Sequence, residues 1–103
     1  MRVQLKIISC PDPAKAGMKL SLKEGDNIAG RVAPVCDLHL EGSKVSKKHC
    51  KFHLLKSGAL FVEDLKSSNG VFVNGKQISS QVQLKDKDRL VIGEFVLEVA
   101  VKA

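Results

Sequence analysis

The chain contains no tryptophan and no tyrosine, and only four phenylalanines among its 103 residues. Aliphatic side chains must therefore fill whatever core it builds. The same scarcity removes the rings on which single-stranded nucleic acid stacks. Cysteine is scarce too: Cys10, Cys36 and Cys50 make an odd count with no Cys-x-x-Cys pair. That argues against a disulfide framework and against a four-ligand zinc site. Three free thiols fit a reducing, cytoplasmic compartment. The opening MRVQLKIIS is too short and too charged for a secretory signal. No stretch approaches the ~18 apolar residues of a membrane helix, so no membrane contact is expected. No window sustains an apolar period of about 3.6 residues, which leaves no helix to enter a duplex groove. Repeats, linkers and low-complexity segments are missing as well.

Hydrophobic residues make up 44% of the chain, enough for one modest core in a single domain over residues 1–103. That length leaves little room for an enzyme with separate substrate and cofactor domains. The net charge is +6, from 17 basic and 11 acidic residues. Residues 1–52 hold ten Lys/Arg and five Asp/Glu, a net +5, whereas residues 53–103 hold seven and six, a net +1. A basic half fits an anionic partner such as nucleic acid, a phosphorylated peptide or a lipid surface. Solubility alone is the plainer account.

The dominant apolar period is two. Val3, Leu5 and Ile7 share one face of VQLKI, and Met18, Leu20 and Leu22 share one face of MKLSL. Cys50, Phe52 and Leu54 align in CKFHL, and Phe95, Leu97, Val99 and Val101 align in FVLEVAV. Short alternating runs read as half-buried strands. Turn signals interrupt them at PDPAKAG, EGDN, EGS, KSG, SSNG, NG and KDKD. Strands at that spacing predict an all-β sandwich or barrel, with its chemistry on the connecting loops.

Three loops carry unusual residues. Gly30-Arg31 pairs a permissive backbone with a planar fork of donors. SKVSKKH crowds Ser43, Lys44, Ser46, Lys47, Lys48 and His49 together, and no carboxylate occurs between Glu41 and Glu63. Alternation from Cys50 puts His49 on the outward face with Lys51 and His53. A Ser46 nucleophile with a His49 base lacks a glycine-flanked elbow and an orienting carboxylate, so no catalytic role is assigned. A histidine at a strand start more often hydrogen-bonds loop backbone. DLKSSNGVFVNG holds two Asn-Gly pairs, each a turn signal. Turns alone leave Ser67, Ser68 and Asn69 on one loop unexplained. Arginine, small hydroxyls, an amide and lysines are what a phosphate monoester needs, since it offers about −1.5 to −2 charge and three acceptor oxygens. Nothing in the set calls for a metal or another cofactor.

In this order, Gly30-Arg31, Ser46-x-x-His49, Ser68-Asn69-Gly70 and Asn74-Gly75 resemble the forkhead-associated (FHA) family. CDLHL at 36–40 and EDL at 63–65 sit where similar text occurs in that family, and the likeness runs from about Leu20 to Val99. The resemblance implies an FHA-type β-sandwich of about eleven strands with its ligand loops at one end. It further implies a phosphothreonine-peptide-binding module that serves signalling. Arg31, Ser46, Lys47, Ser68 and Asn69 would meet the phosphopeptide. Ser43 and Lys44 would lie on a specificity loop. Gly30, His49, Gly70, Asn74 and Gly75 would support the site. Many members carry Arg at the Lys47 position and Thr at the Ser68 position. The expected partner is a phosphothreonine-containing protein, not nucleic acid, and a monomer is favoured. The alternative is an FHA scaffold that makes protein contacts without phosphate. The end VAVKA follows a strand directly, so the chain is expected to be the N-terminal module of a longer signalling protein, any enzyme lying downstream.

Overall fold

The alternating runs become strands in the computed structural model, which describes residues 2–32 and 35–102. The strands are β1 (Arg2–Ser9), β2 (Lys19–Ser21), β3 (Gly25–Gly30), β4 (Leu38–His39), β5 (Cys50–Leu54), β6 (Leu60–Asp64), β7 (Val71–Val73), β8 (Lys76–Gln77), β9 (Val82–Leu84), β10 (Arg89–Ile92) and β11 (Phe95–Lys102). A single 3-10 turn, Pro13–Lys15, sits between β1 and β2. Its first turn is closed by the Asp12 carboxylate, which accepts from Ala14 N–H at 3.0 Å.

Two sheets result, one in the order β2-β1-β11-β10-β7-β8 and one in the order β4-β3-β5-β6-β9. All pairings are antiparallel except β3 with β4. The inward residues of both sheets form one core that includes Leu5, Phe52, Leu60, Val62, Val71, Leu90, Ile92 and Leu97. Burying each such side chain contributes about 1.5–3 kcal/mol, which is how an almost ring-free sequence holds two sheets together. Cys50 is part of this core, and burial pushes its thiol far up from the ordinary range. Met18 departs from the expected pattern and is 48% exposed. The edge strand β2 is only three residues long and begins after it, although the Met18 carbonyl still accepts from Ile7 N–H at 2.8 Å.

The two Asn-Gly pairs do different work. Asn74 (φ 50°) and Gly75 (φ 87°) join β7 to β8, both at positive φ as a type I′ hairpin requires. Asn69-Gly70 is not a hairpin, because it links β6 to β7, which lie in different sheets. A hairpin the sequence reading did not single out closes at Gly93-Glu94, between β10 and β11. Gly93 has φ 58° at its first central position, the type II′ arrangement. Among the described residues, no helix is long and apolar enough to cross a membrane.

Candidate anion-binding site

The loops leaving β3, entering β5 and leaving β6 meet at one end of the sandwich. The end of β3 lies directly on the Ser46–Lys47 backbone. A Cβ on Gly30 would collide with the Lys47 carbonyl and come within 2.9 Å of Cys36 Sγ. Glycine is needed there for the approach itself. Arg31 N–H then donates to Ser46 O at 3.0 Å, and Cys36 Sγ donates to Lys47 O at 3.1 Å. Burial raises the Cys36 thiol above its ordinary value, which keeps that proton in place. His39 Nε2 reaches Arg31 O at 2.9 Å.

Arg31 is exposed, yet its Nε donates to Val45 O at 3.0 Å. That bond fixes the plane of the guanidinium. It uses one of five donors and leaves the terminal N–H groups without a protein acceptor among the described residues.

His49 corrects the face read from alternation. It is fully buried rather than outward with Lys51 and His53. Strand β5 begins one residue later, and His49 sits in the preceding turn, its N–H donating to Ala29 O at 2.8 Å. The ring bridges two loops. Ser46 N–H donates to Nδ1 at 3.0 Å, so Nδ1 carries no proton. Nε2–H therefore donates to Gly70 O at 2.8 Å, which identifies the neutral Nε2–H tautomer. Both ring nitrogens are taken by backbone, and the Ser46 hydroxyl instead accepts from Ser68 N–H at 3.0 Å. A nucleophile–base pair between Ser46 and His49 has no geometry here.

The third loop is tied to the others from its side chains. Asn69 Nδ2 donates to Lys44 O at 2.9 Å. Gly70 N–H donates to Ser67 Oγ at 2.9 Å, and Ser67 N–H donates to the Asp64 carboxylate at 3.0 Å. Glu94, from the β10–β11 hairpin, accepts from Ser43 Oγ at 2.7 Å and from Lys44 N–H at 3.0 Å. The Ser43 bond, aided by the Lys44 N–H, holds its carboxyl below the usual range. Gly93 makes that contact possible, since a Cβ there would lie 2.8 Å from Val45 Cγ2 and 2.9 Å from the Lys44 carbonyl carbon.

Arg31, Ser43, Lys44, Ser46, Lys47, Ser68 and Asn69 thus occupy connected loops, with Gly30, His49 and Gly70 beneath them. Asn74 and Gly75 do not join them. Asn74 accepts from Arg89 N–H at 3.0 Å and donates to Asp88 at 3.1 Å, at the start of β10. The site meets the other end of that strand, at Glu94. Three extended residues, Val71–Val73, carry the second Asn-Gly pair away, at about 3.3 Å per residue. Sequence reasoning missed Glu94, Gly93, Cys36 and His39, and noted Ser67 without giving it a place in the site. The Gly93-Glu94 pair between two apolar runs was the one available signal. Lys44, Lys47, Lys48 and Lys66 are exposed, and none enters an ion pair with a described carboxylate. A concavity of about 340 Å³ lies elsewhere, on the outer face of the smaller sheet around Asp26, Lys51 and His53.

The FHA domain family model matches residues 25–93. The glycogen accumulation regulator GarA of Mycolicibacterium smegmatis is 37% identical over 82 residues, covering 80% of this chain and 50% of that protein. The chain therefore spans about half the length of this curated relative. The FHA domain of the CT664 protein from Chlamydia trachomatis superposes with a TM-score of 0.90 at 27% identity, covering 100% of both chains. A structure solved in a study of phosphothreonine-dependent FHA domain interactions gives a TM-score of 0.86 at 27% identity, covering 100% of this chain and 99% of the other. The FhaA FHA domain, solved in complex with the intracellular domain of Rv3910, gives 0.81 at 29% identity, covering 94% and 98%.

Proposed function

The chain belongs to the FHA domain family, and from that membership we propose that its loop end binds a phosphothreonine peptide and so recruits a phosphorylated partner in signalling. The observation that carries the reading is the state of Arg31. Its Nε is spent on Val45 O and its backbone N–H on Ser46 O, while its terminal N–H groups have no protein acceptor among the described residues. A phosphate dianion takes bidentate donation from a guanidinium edge better than from any lysine. Ser46 and Ser68 add hydroxyls without bulk, and Lys47 adds charge. Asn69, with one amide proton on Lys44 O, keeps its carbonyl and second proton for peptide main chain. Ser43 and Lys44 form the specificity loop.

Lysine at position 47 supplies charge without a fork, so Arg31 carries the directed part of recognition. The chain contains no threonine. Its phosphothreonine must come from outside these 103 residues. The domain acts as a binding module in the cytoplasm, within a longer signalling protein, and binds as a monomer.

Isothermal titration of a phosphothreonine peptide library against the domain and Arg31→Ala tests this. Binding is expected to weaken by at least about 100-fold in the variant, the loss of a bidentate charged pair, while the melting temperature holds. Equal affinity for phosphorylated and unphosphorylated peptides would replace this reading with the phosphate-independent scaffold.

A further inference from the structure

The loop that carries Ser43 and Lys44 is a four-residue turn. Val45 N–H donates to Gly42 O at 3.2 Å, which leaves Ser43 and Lys44 as its two central residues. One end of the turn is held by the core, where the Val45 side chain is buried against Gly93. The rest has no such anchor, because Gly42 has no side chain and Ser43 and Lys44 are exposed. Glu94 holds it instead. Its Oε2 accepts from Ser43 Oγ at 2.7 Å and its Oε1 from Lys44 N–H at 3.0 Å, so each oxygen closes on a different central residue.

The same turn reaches the ligand loops with its carbonyls. Lys44 O accepts from Asn69 Nδ2 at 2.9 Å, and Val45 O accepts from Arg31 Nε at 3.0 Å. Val45 is anchored by its own burial, but Lys44 is anchored by Glu94. Glu94 takes Lys44 by its N–H, and Lys44 takes Asn69 by its carbonyl. Two hydrogen bonds thus connect the β10–β11 hairpin to the amide on the loop leaving β6, and the second is the one side-chain hydrogen bond Asn69 makes among the described residues. Charge alone gives Glu94 the wrong sign for this place. A carboxylate at the end of the sandwich that takes a phosphate repels the incoming dianion. It favours binding only if its geometry returns more than its charge removes.

We propose that Glu94 is a positioning residue for phosphopeptide binding: it sets the Ser43–Lys44 turn and, through Lys44 O, aims Asn69 at the main chain of the bound peptide. The inference rests on the phosphothreonine reading and adds to it a residue that opposes the ligand by charge and serves it by geometry. Glu94 acts through Asn69 and not on the ligand itself. Removing the carboxylate therefore has two opposite effects, and substitutions that keep or discard its hydrogen bonds separate them.

Glu94→Ala and Glu94→Gln are titrated with a phosphothreonine peptide and with its unmodified counterpart, at a temperature where melting curves show every variant folded. Both substitutions remove one negative charge and raise the net charge from +6 to +7. Charge alone would tighten binding equally in both. Glutamine keeps an oxygen for Lys44 N–H and an amide N–H that can donate to Ser43 Oγ, whereas alanine keeps neither. Glu94→Gln is expected to bind at least as tightly as the native chain, and Glu94→Ala about fivefold to tenfold more weakly. In an Asn69→Ala background the same Glu94→Ala change is expected to alter affinity by less than about twofold, because the group it positions is gone. The Asn69 side-chain amide resonances of the ligand-free protein are expected to move in Glu94→Ala and to hold in Glu94→Gln. Equal or tighter binding by Glu94→Ala, an equal loss in Glu94→Gln, an undiminished loss without Asn69, or unmoved Asn69 resonances would each overturn the positioning role alone. If the native chain binds phosphorylated and unmodified peptides alike, the phosphothreonine reading itself falls, while the Asn69 resonances still report whether Glu94 sets that amide.

Discussion

His49 shows how far one side chain can reach in a chain of this size. Removing its ring strands Ser46 N–H and Gly70 O in a buried place, at about 1–3 kcal/mol for each group left unpaired. His49→Ala is accordingly expected to lower the urea midpoint and weaken phosphopeptide binding together. A variant that lost stability yet bound normally would show that the loops hold their positions unaided. Gly30 is limited by space rather than dihedral angle. Gly30→Ala drives a methyl into the Lys47 backbone and is expected to cost about 1–3 kcal/mol, read as a lower thermal midpoint. Glu94 gives a pH-dependent counterpart. Its folded carboxyl lies below the unfolded value of about 4.3. Its contribution to stability is complete above that value and is lost as pH falls through the lower, folded one. Urea midpoints measured from pH 5 to pH 3 should fall more steeply for the native chain than for Glu94→Gln, and parallel curves would remove Glu94 from the role of loop clamp.

At the scale of elements, the strands were legible because burial on one face writes itself as alternation. Cys50, Phe52 and Leu54 lie inward as read, and so do Phe95, Leu97 and Val99. The period fails just outside the strands, even though backbone hydrogen bonds still reach His49 and Met18. His49 stands one residue outside β5 and turns inward, while Met18 stands one residue outside β2 and turns outward. Turn residues were equally ambiguous, since an Asn-Gly pair encodes positive φ but not which strands it joins. Asn74-Gly75 closes a hairpin, and Asn69-Gly70 crosses between sheets. Glu94 was hidden for a related reason, because its partners lie 50 and 51 positions away, on a loop that only the folded topology brings near. The hairpin assignment has its own check. Gly75→Ala forces a methyl into φ 87° and should cost about 1–2 kcal/mol, seen as a drop in melting temperature.

For the molecule as a whole the net charge is +6, and five exposed cations, Arg31, Lys44, Lys47, Lys48 and Lys66, lie on the loops that converge. Such a field accelerates the approach of an anionic partner more than it slows its departure. Association with a phosphopeptide is therefore expected to slow by about tenfold between 0.05 and 0.5 M salt, as the Debye length shrinks from above 10 Å to a few ångströms. Dissociation should change far less. Stopped-flow traces showing salt acting mainly on dissociation would mean that the lysines act at contact, not at a distance.

The bridge made by His49 also reports on itself. A ring proton held by Gly70 O in a fully buried position exchanges slowly with solvent. Such protons resonate far downfield of the amide envelope. This single hydrogen, between two loops that are also tied by Ser68 to Ser46 and by Asn69 to Lys44, gives a magnetic-resonance gauge of whether the ligand end is assembled. It can be read without ligand, label or mutation, and followed as a partner is added.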